Sequence, residues 1–234
     1  MNKWILYCIT ALFLGQLQAC AQTKNENKAM KITYVMDPQC GWCYGNSKNI
    51  AALQEEFKEE FDFELLVGGM WIGQNAPVGG DNLSQFLHNH APRMATTTGA
   101  HVDSSYYELA KDSSYSFSSL EPSAAIQLIK EIAPDKVFLF AKNVQLALFV
   151  EGKRLDDRET YMEIFETMSI DTSAFGSVWM GADNVAKTRV EFTNASNLAN
   201  GFPTLVITKE GKTETLASGY FDKKAMIRKL NMFK

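Results

Sequence analysis

Cysteine is scarce in this sequence, with four residues in 234, which excludes the disulfide framework that staples small secreted domains. Neither sign of charge dominates: 23 Lys and Arg stand against 27 Asp and Glu, for a net charge of −4. With both signs dispersed there is no basic face for nucleic acid and no acidic tail. The chain has no internal repeat and no low-complexity segment. Its apolar run at residues 4–14 is shorter than the ~20 residues a bilayer-spanning helix needs. A hydrophobic content of 46% is enough to bury a full core without disulfides.

That apolar run follows Asn2 and Lys3, the layout of a secretory signal. It leads to Leu17-Gln18-Ala19-Cys20, which resembles the bacterial lipobox, whose cysteine is lipidated and becomes the mature N-terminus. The expectation is a lipoprotein-type signal peptide over residues 1–19 and a lipid on Cys20 that anchors the protein to a membrane. A polar tether over residues 20–29 would follow, with the folded part in the cell envelope, facing the periplasm or the outside. Cys8 would leave with the signal, and only Cys40 and Cys43 would remain in the folded part.

Those two form Cys40-Gly41-Trp42-Cys43, a spacing that closes a disulfide without displacing the backbone. Residues 31–36 read as a buried strand. Residues 46–60 read as an amphipathic helix, with Ile50, Leu53 and Phe57 at three- and four-residue spacing. The pair therefore falls at a strand-to-helix junction. There the first cysteine lies beside unpaired backbone N–H groups and the positive end of the helix dipole, which favours a thiolate. Cys40 is expected to be the nucleophile, and Cys43, one turn further in, the resolving thiol. A lone C-x-x-C pair in an oxidising compartment is read as catalytic.

The strand at 62–67 ends at Gly68-Gly69-Met70, completing a βαβ unit over residues 30–80. Residues 81–198 turn helical, with helices expected at 84–97 (broken by Pro92), 123–133, 135–150, 158–168 and 183–198. Strand character returns at 204–208 and 213–217 around a hairpin turn. A closing helix over 221–233 would bury Ala225, Ile227 and Leu230, so residues 199–234 form the second half.

Three stretches resemble the thioredoxin superfamily, and within it the DsbA family, most nearly its FrnE-like branch. They are Asp37-Pro38-Gln39-Cys40-Gly41-Trp42-Cys43-Tyr44-Gly45, Gly68-Gly69-Met70, and Gly201-Phe202-Pro203-Thr204-Leu205. The resemblance implies an α/β thioredoxin fold, βαβ…ββα, with a helical domain inserted between the halves. It implies a cis-proline at Pro203 beside the cysteine pair, with Phe202 offering its backbone to an extended substrate segment. DsbA enzymes carry Pro-His between the cysteines, whereas this chain has Gly41-Trp42, which weakens any expectation of strong oxidising power.

Several residues also have plainer readings. The cysteines with His88 and His90 could form a zinc site, but the strand-to-helix placement argues against metal, and His88, His90 and His101 read as surface or packing residues. Trp42 is expected half-exposed and facing substrate. Met70 and Trp71 either line the same groove or fill the junction with the helical block. Asp37 reads as a loop cap more than a proton relay. Phe138, Phe140, Phe149 and Phe165 read as core, and Tyr106, Tyr107 and residues 113–119 as an exposed loop region.

The expected function is thiol–disulfide exchange with cysteine-containing proteins through a mixed disulfide. An unidentified redox partner would reset the pair, and no cofactor is implied beyond the Cys40–Cys43 disulfide. The alternatives are a glutathione-dependent transferase or isomerase of the kappa-class kind, which usually carries serine where Cys40 stands, and a non-enzymatic peptide- or metal-binding lipoprotein.

Overall fold

A computed structural model describes residues 30–171 and 175–234. The expected signal, lipidated Cys20 and tether lie outside the described residues. Strand β1 (Met30–Met36) occupies an inner position in a four-stranded sheet of order β2-β1-β3-β4. It pairs in parallel with β2 (Asp62–Val67) and antiparallel with β3 (Thr204–Lys209), which pairs antiparallel with β4 (Lys212–Ser218). The β3–β4 turn carries positive φ at Glu210 (51°) and Gly211 (77°), the two-residue geometry that matches strand twist. The expected α/β architecture is present, and among the described residues all helices except the first and last lie between β2 and β3.

Alternation along β1 distributes its side chains to two layers. Ile32, Tyr34 and Met36 join the main core, into which helix α1 (Gly41–Phe57) sends Ile50, Leu53 and Phe57. Val35 points the other way and meets Leu66 and Ala195. Helix α1 starts five residues earlier than its apolar periodicity indicates, because Cys40 serves as its N-cap. The cysteine pair thus belongs to the first turn of the helix.

Helix α2 (Asp81–Thr98) runs unbroken through Pro92. Proline removes one N–H and so orphans the carbonyl of His88; both residues are exposed, so the carbonyl is open to solvent. Helix α3 (Ser104–Leu109) lies in the stretch expected to be loop, capped by Asp103 and burying Tyr106. The serine-rich segment that follows is also buried at alternate positions, Tyr115, Phe117 and Ser119. It runs extended against Pro77 and Gly79, held by Phe117 N–H to Pro77 O (2.8 Å) and Gly79 N–H to Tyr115 O (2.9 Å). The serines read as solvated loop, but every second residue points inward.

Helices α4 (Leu120–Ile132), α5 (Val137–Phe149), α6 (Arg158–Met168), α7 (Phe175–Val178) and α8 (Ala182–Leu198) complete the block. Phe140, Tyr161, Phe165, Phe175 and Trp179 pack as an aromatic cluster within it, with Phe140 stacked on Phe165 and Phe175 on Trp179. Phe140, Phe149 and Phe165 are core, and Phe138 is half-buried. The last helix, α9 (Lys223–Asn231), buries Met226 and Leu230 and leaves Ala225 exposed. Leu230 is buried as expected and Ile227 half-buried, while Met226 takes the inward place expected of Ala225.

Candidate active site

Cys40 has extended backbone geometry (φ −80°, ψ 113°), and its carbonyl accepts the first bonds of α1 from the N–H groups of Cys43 and Tyr44, both at 3.0 Å. Its own N–H donates to the Asp37 carbonyl at 3.0 Å, closing a tight turn from β1 into the helix. No side chain caps α1, so the Cys40 sulphur occupies the place a capping oxygen would take.

The two cysteines are free thiols in different surroundings. Cys40 is 5% exposed and Cys43 1%. Burial pushes the Cys43 thiol well above the usual range, and its hydrogen bond with Cys40 adds to the rise. Tyr34 donates its hydroxyl to the Cys43 carbonyl at 3.4 Å from the sheet beneath. Both are buried, Cys40 slightly less than Cys43.

The Phe202–Pro203 bond is cis, and the Cys40 thiol donates to the Phe202 carbonyl at 3.6 Å. Pro203 is buried and Phe202 partly so. The tip of the Phe202 ring lies against Gly68, where a Cβ would come within 2.0 Å of Cζ. Only glycine allows that approach. Gly69 meets the Phe192 ring of α8, which a Cβ would approach to 2.8 Å.

Asp37 is wholly buried, and its carboxylate gathers three donors. Oδ1 accepts from the Gln39 N–H and the Ser119 hydroxyl, both at 2.9 Å, and Oδ2 accepts from the Met70 N–H at 2.8 Å. Ser119 Oγ in turn accepts from the Trp71 N–H at 3.1 Å. Burial raises the Asp37 pKa to about 6, with the three hydrogen bonds opposing the rise. Asp37 therefore caps the turn before Cys40 and also fixes the loop after β2 and the start of α4. Ser119 was not singled out from sequence; its place just before a helix opening Leu120-Glu121-Pro122 is the one local signal for it.

Beside Cys40 a groove of about 210 Å³ opens between α1 and α2. Trp42 and Met70 line it with Trp71; Phe86, His90 and Met94 come from α2, and Tyr106 and Phe149 form the back. Tyr44 stacks on Phe149 at 4.7 Å behind that wall. The groove is mainly apolar, with a reactive sulphur at one end. Cys40, Trp42 and Met70 thus share the groove, Phe202 and Pro203 flank the sulphur, and Gly69 packs against α8. Of the two placements open for Met70 and Trp71, they take the groove. His88 stacks on Tyr107 and His101 lies near Asp103. Among the described residues no three His, Cys, Asp or Glu side chains gather as metal ligands.

Neither protein-family models nor curated proteins match the sequence. Solved structures do. A protein from Nitrosomonas europaea proposed to be a disulfide isomerase superposes with a TM-score of 0.76 at 22% identity, over 87% of this chain and 97% of that one. The cytosolic disulfide reductase DsbM from Pseudomonas aeruginosa gives 0.75 at 27%, over 87% and 98%, and has also been solved with glutathione. The chain has the fold of DsbA-like thiol–disulfide oxidoreductases. The same scaffold is shared by a 2-hydroxychromene-2-carboxylate isomerase, with a TM-score of 0.56 at 13% identity over 87% and 94%.

Proposed function

We propose that the protein exchanges disulfides with cysteine-containing proteins through Cys40, with Cys43 as the resolving thiol. The observation that carries this reading is the placement of the Cys40 thiol at the Phe202 carbonyl, with Cys43 buried behind it. An extended substrate segment laid along the edge before Pro203 brings its sulphur to Cys40 and sets neighbouring side chains in the groove of Trp42 and Met70. Gly69 supports this edge by keeping α8 close.

In the reducing direction the Cys40 thiolate attacks one sulphur of a substrate disulfide, forming a mixed disulfide and releasing the other sulphur as a thiolate that takes up a proton. Cys43 then loses its proton and attacks the Cys40 sulphur. The Cys40–Cys43 bond forms, the bond to substrate breaks, and the substrate leaves as a dithiol. In the oxidising direction the same steps run backwards. A dithiol or disulfide partner of the matching two-electron chemistry resets the pair.

The protein acts outside the cytosol, anchored through lipid on Cys20. Support comes from the basic start, the apolar run at 4–14 and Leu17-Gln18-Ala19-Cys20; DsbM, by contrast, is cytosolic. Labelled palmitate should enter the wild type and not Cys20→Ser.

Insulin reduction and dithiol oxidation test the chemistry. Cys40→Ser should abolish both, and Cys43→Ser should accumulate mixed disulfide. Undiminished activity in Cys40→Ser would remove this reading in favour of a binding protein. Glutathione conjugation that survives the same substitution would favour the transferase class.

A further inference from the structure

Helix α2, part of the helical block, shapes the groove beside Cys40. Phe86, His90 and Met94 recur at every fourth residue and so share one face of the helix. Met94 is buried, with its Cε 3.5 Å from where a Cβ on Gly41 would stand, between the two cysteines. Phe86 is 47% exposed. The His90 ring stacks on it with centroids 4.1 Å apart and donates through Nδ1 to the Phe86 carbonyl at 2.7 Å, so the two rings form one wall. A second wall is fixed through its backbone: the Met70 N–H is bonded to Asp37 and the Trp71 N–H to Ser119. Their half-buried side chains, with that of Trp42, therefore line the groove before any ligand arrives.

Two properties limit what fits. No Lys, Arg, Asp or Glu lines the groove, so a carboxylate entering it loses water without meeting a fixed counter-charge. Its volume of about 210 Å³ lies below the ~300–1,000 Å³ of sites that enclose a whole small molecule. One large apolar side chain suits that space. Glutathione, a tripeptide with a carboxylate at each end and no apolar side chain, does not, although DsbM has been solved with it.

We propose that this groove selects a peptide cysteine flanked by a large apolar side chain, aromatic above all, and disfavours glutathione. The inference rests on Cys40 being the attacking thiol. The flanking side chain packs against Phe86, Trp42 and Met70 while the substrate sulphur meets Cys40, and its burial favours the complex in which attack occurs. The partner that resets the pair meets the same filter, which makes it a protein dithiol or disulfide with an apolar residue beside its cysteine rather than a glutathione pool.

The test is a single turnover of the full-length Cys43→Ser variant with short peptides whose cysteine carries a thionitrobenzoate disulfide. The Cys40 thiolate attacks the peptide sulphur, the mixed disulfide forms, and the bond to the aryl sulphur breaks, so that coloured thionitrobenzoate leaves with the electron pair. Peptides with Phe beside the cysteine should react about tenfold faster than those with Ala. Peptides with Glu there, and glutathione carrying the same aryl group, should react no faster than the Ala peptide. Phe86→Ala should cut the Phe-over-Ala ratio to about threefold or less, and Phe86→Lys should also raise the rates of the Glu peptide and of glutathione. Val190→Ala, at an exposed apolar position of α8 outside the groove, should leave every ratio unchanged. Equal rates for the Phe, Ala and Glu peptides, glutathione as fast as the Phe peptide, or an unaltered ratio in Phe86→Ala would overturn the selection while leaving the exchange reading in place. Failure of Cys40 to react with any of these disulfides would remove the exchange reading, and the selection with it.

Discussion

Asp37 and Ser119 are joined by a 2.9 Å hydrogen bond across 82 positions of chain. The bond ties the turn that presents Cys40 to the start of α4, and the same hydroxyl holds Trp71 at the groove. The active turn is thus built from three segments that meet around one buried carboxylate.

That carboxylate gives stability a definite pH dependence. Its folded pKa is raised from 3.8 to about 6, so between those values the folded state binds more protons than the unfolded one. This contribution is fully present below pH 4, is lost as pH rises through 6, and is flat above. Its size is roughly 3 kcal/mol. Urea unfolding between pH 4 and 7 should show that decline, and Asp37→Asn should flatten it. A slope unchanged in the variant would assign the effect to other groups. Ser119→Ala should cost about 1–3 kcal/mol, because it leaves the Trp71 N–H unpaired and removes a donor from Asp37.

The thiols should separate chemically. Burial and contact with Cys40 hold Cys43 in its neutral form at neutral pH, and a protonated, enclosed sulphur alkylates slowly. Iodoacetamide on the reduced native protein should label Cys40 alone, with Cys43 labelled only after denaturation. Mass spectrometry of the peptide spanning both residues reads the ratio. Equal labelling in the native state would contradict the assigned roles.

Glycine at position 68 should matter through Phe202. A Cβ there lands 2.0 Å from the ring, and displacing the ring shifts the carbonyl that meets the Cys40 thiol. Gly68→Ala should cost about 1–3 kcal/mol of stability, the usual range for overpacking, and lower kcat/KM for insulin reduction by at least roughly tenfold, about 1.4 kcal/mol of transition-state stabilisation. Gly201 provides the control: a Cβ there meets nothing within 4 Å and its φ lies outside the left-handed region. Gly201→Ala should leave both measurements unchanged.

Features encoded within a few residues were readable in the chain. The strand before Cys40, the helix after Cys43 and the strand opened by Pro203 each carry their own periodicity or breaker, and together they define the fold. Groups that acquire meaning from a distant partner were not readable. Ser119 reads as one serine in a polar run until Asp37 is beside it. Tyr115 and Phe117 read as loop until the segment pairs with Pro77 and Gly79.

Lys130 and Glu191 belong to that second group. On α4 and α8 they look like surface charges, yet they form an ion pair largely shielded from solvent, and Glu191 Oε1 also accepts the Val67 N–H at 2.7 Å. The pair secures the end of β2 one residue before Gly68, where the Phe202 ring rests. Burial lowers the Lys130 pKa while Glu191 holds it up. Glu191→Leu therefore leaves a buried cation and an unpaired backbone donor, and should cost about 3–5 kcal/mol. Combining it with Lys130→Met removes the stranded charge, and the double variant should recover part of that loss in urea unfolding. If the double variant is as unstable as the two single losses added together, the charges act independently and the clamp on β2 lies elsewhere. Recovery of stability with reduced insulin reduction would instead locate the functional value of the pair in the strand end it holds, because the Val67 N–H remains unpaired and the floor under Phe202 is left free to shift.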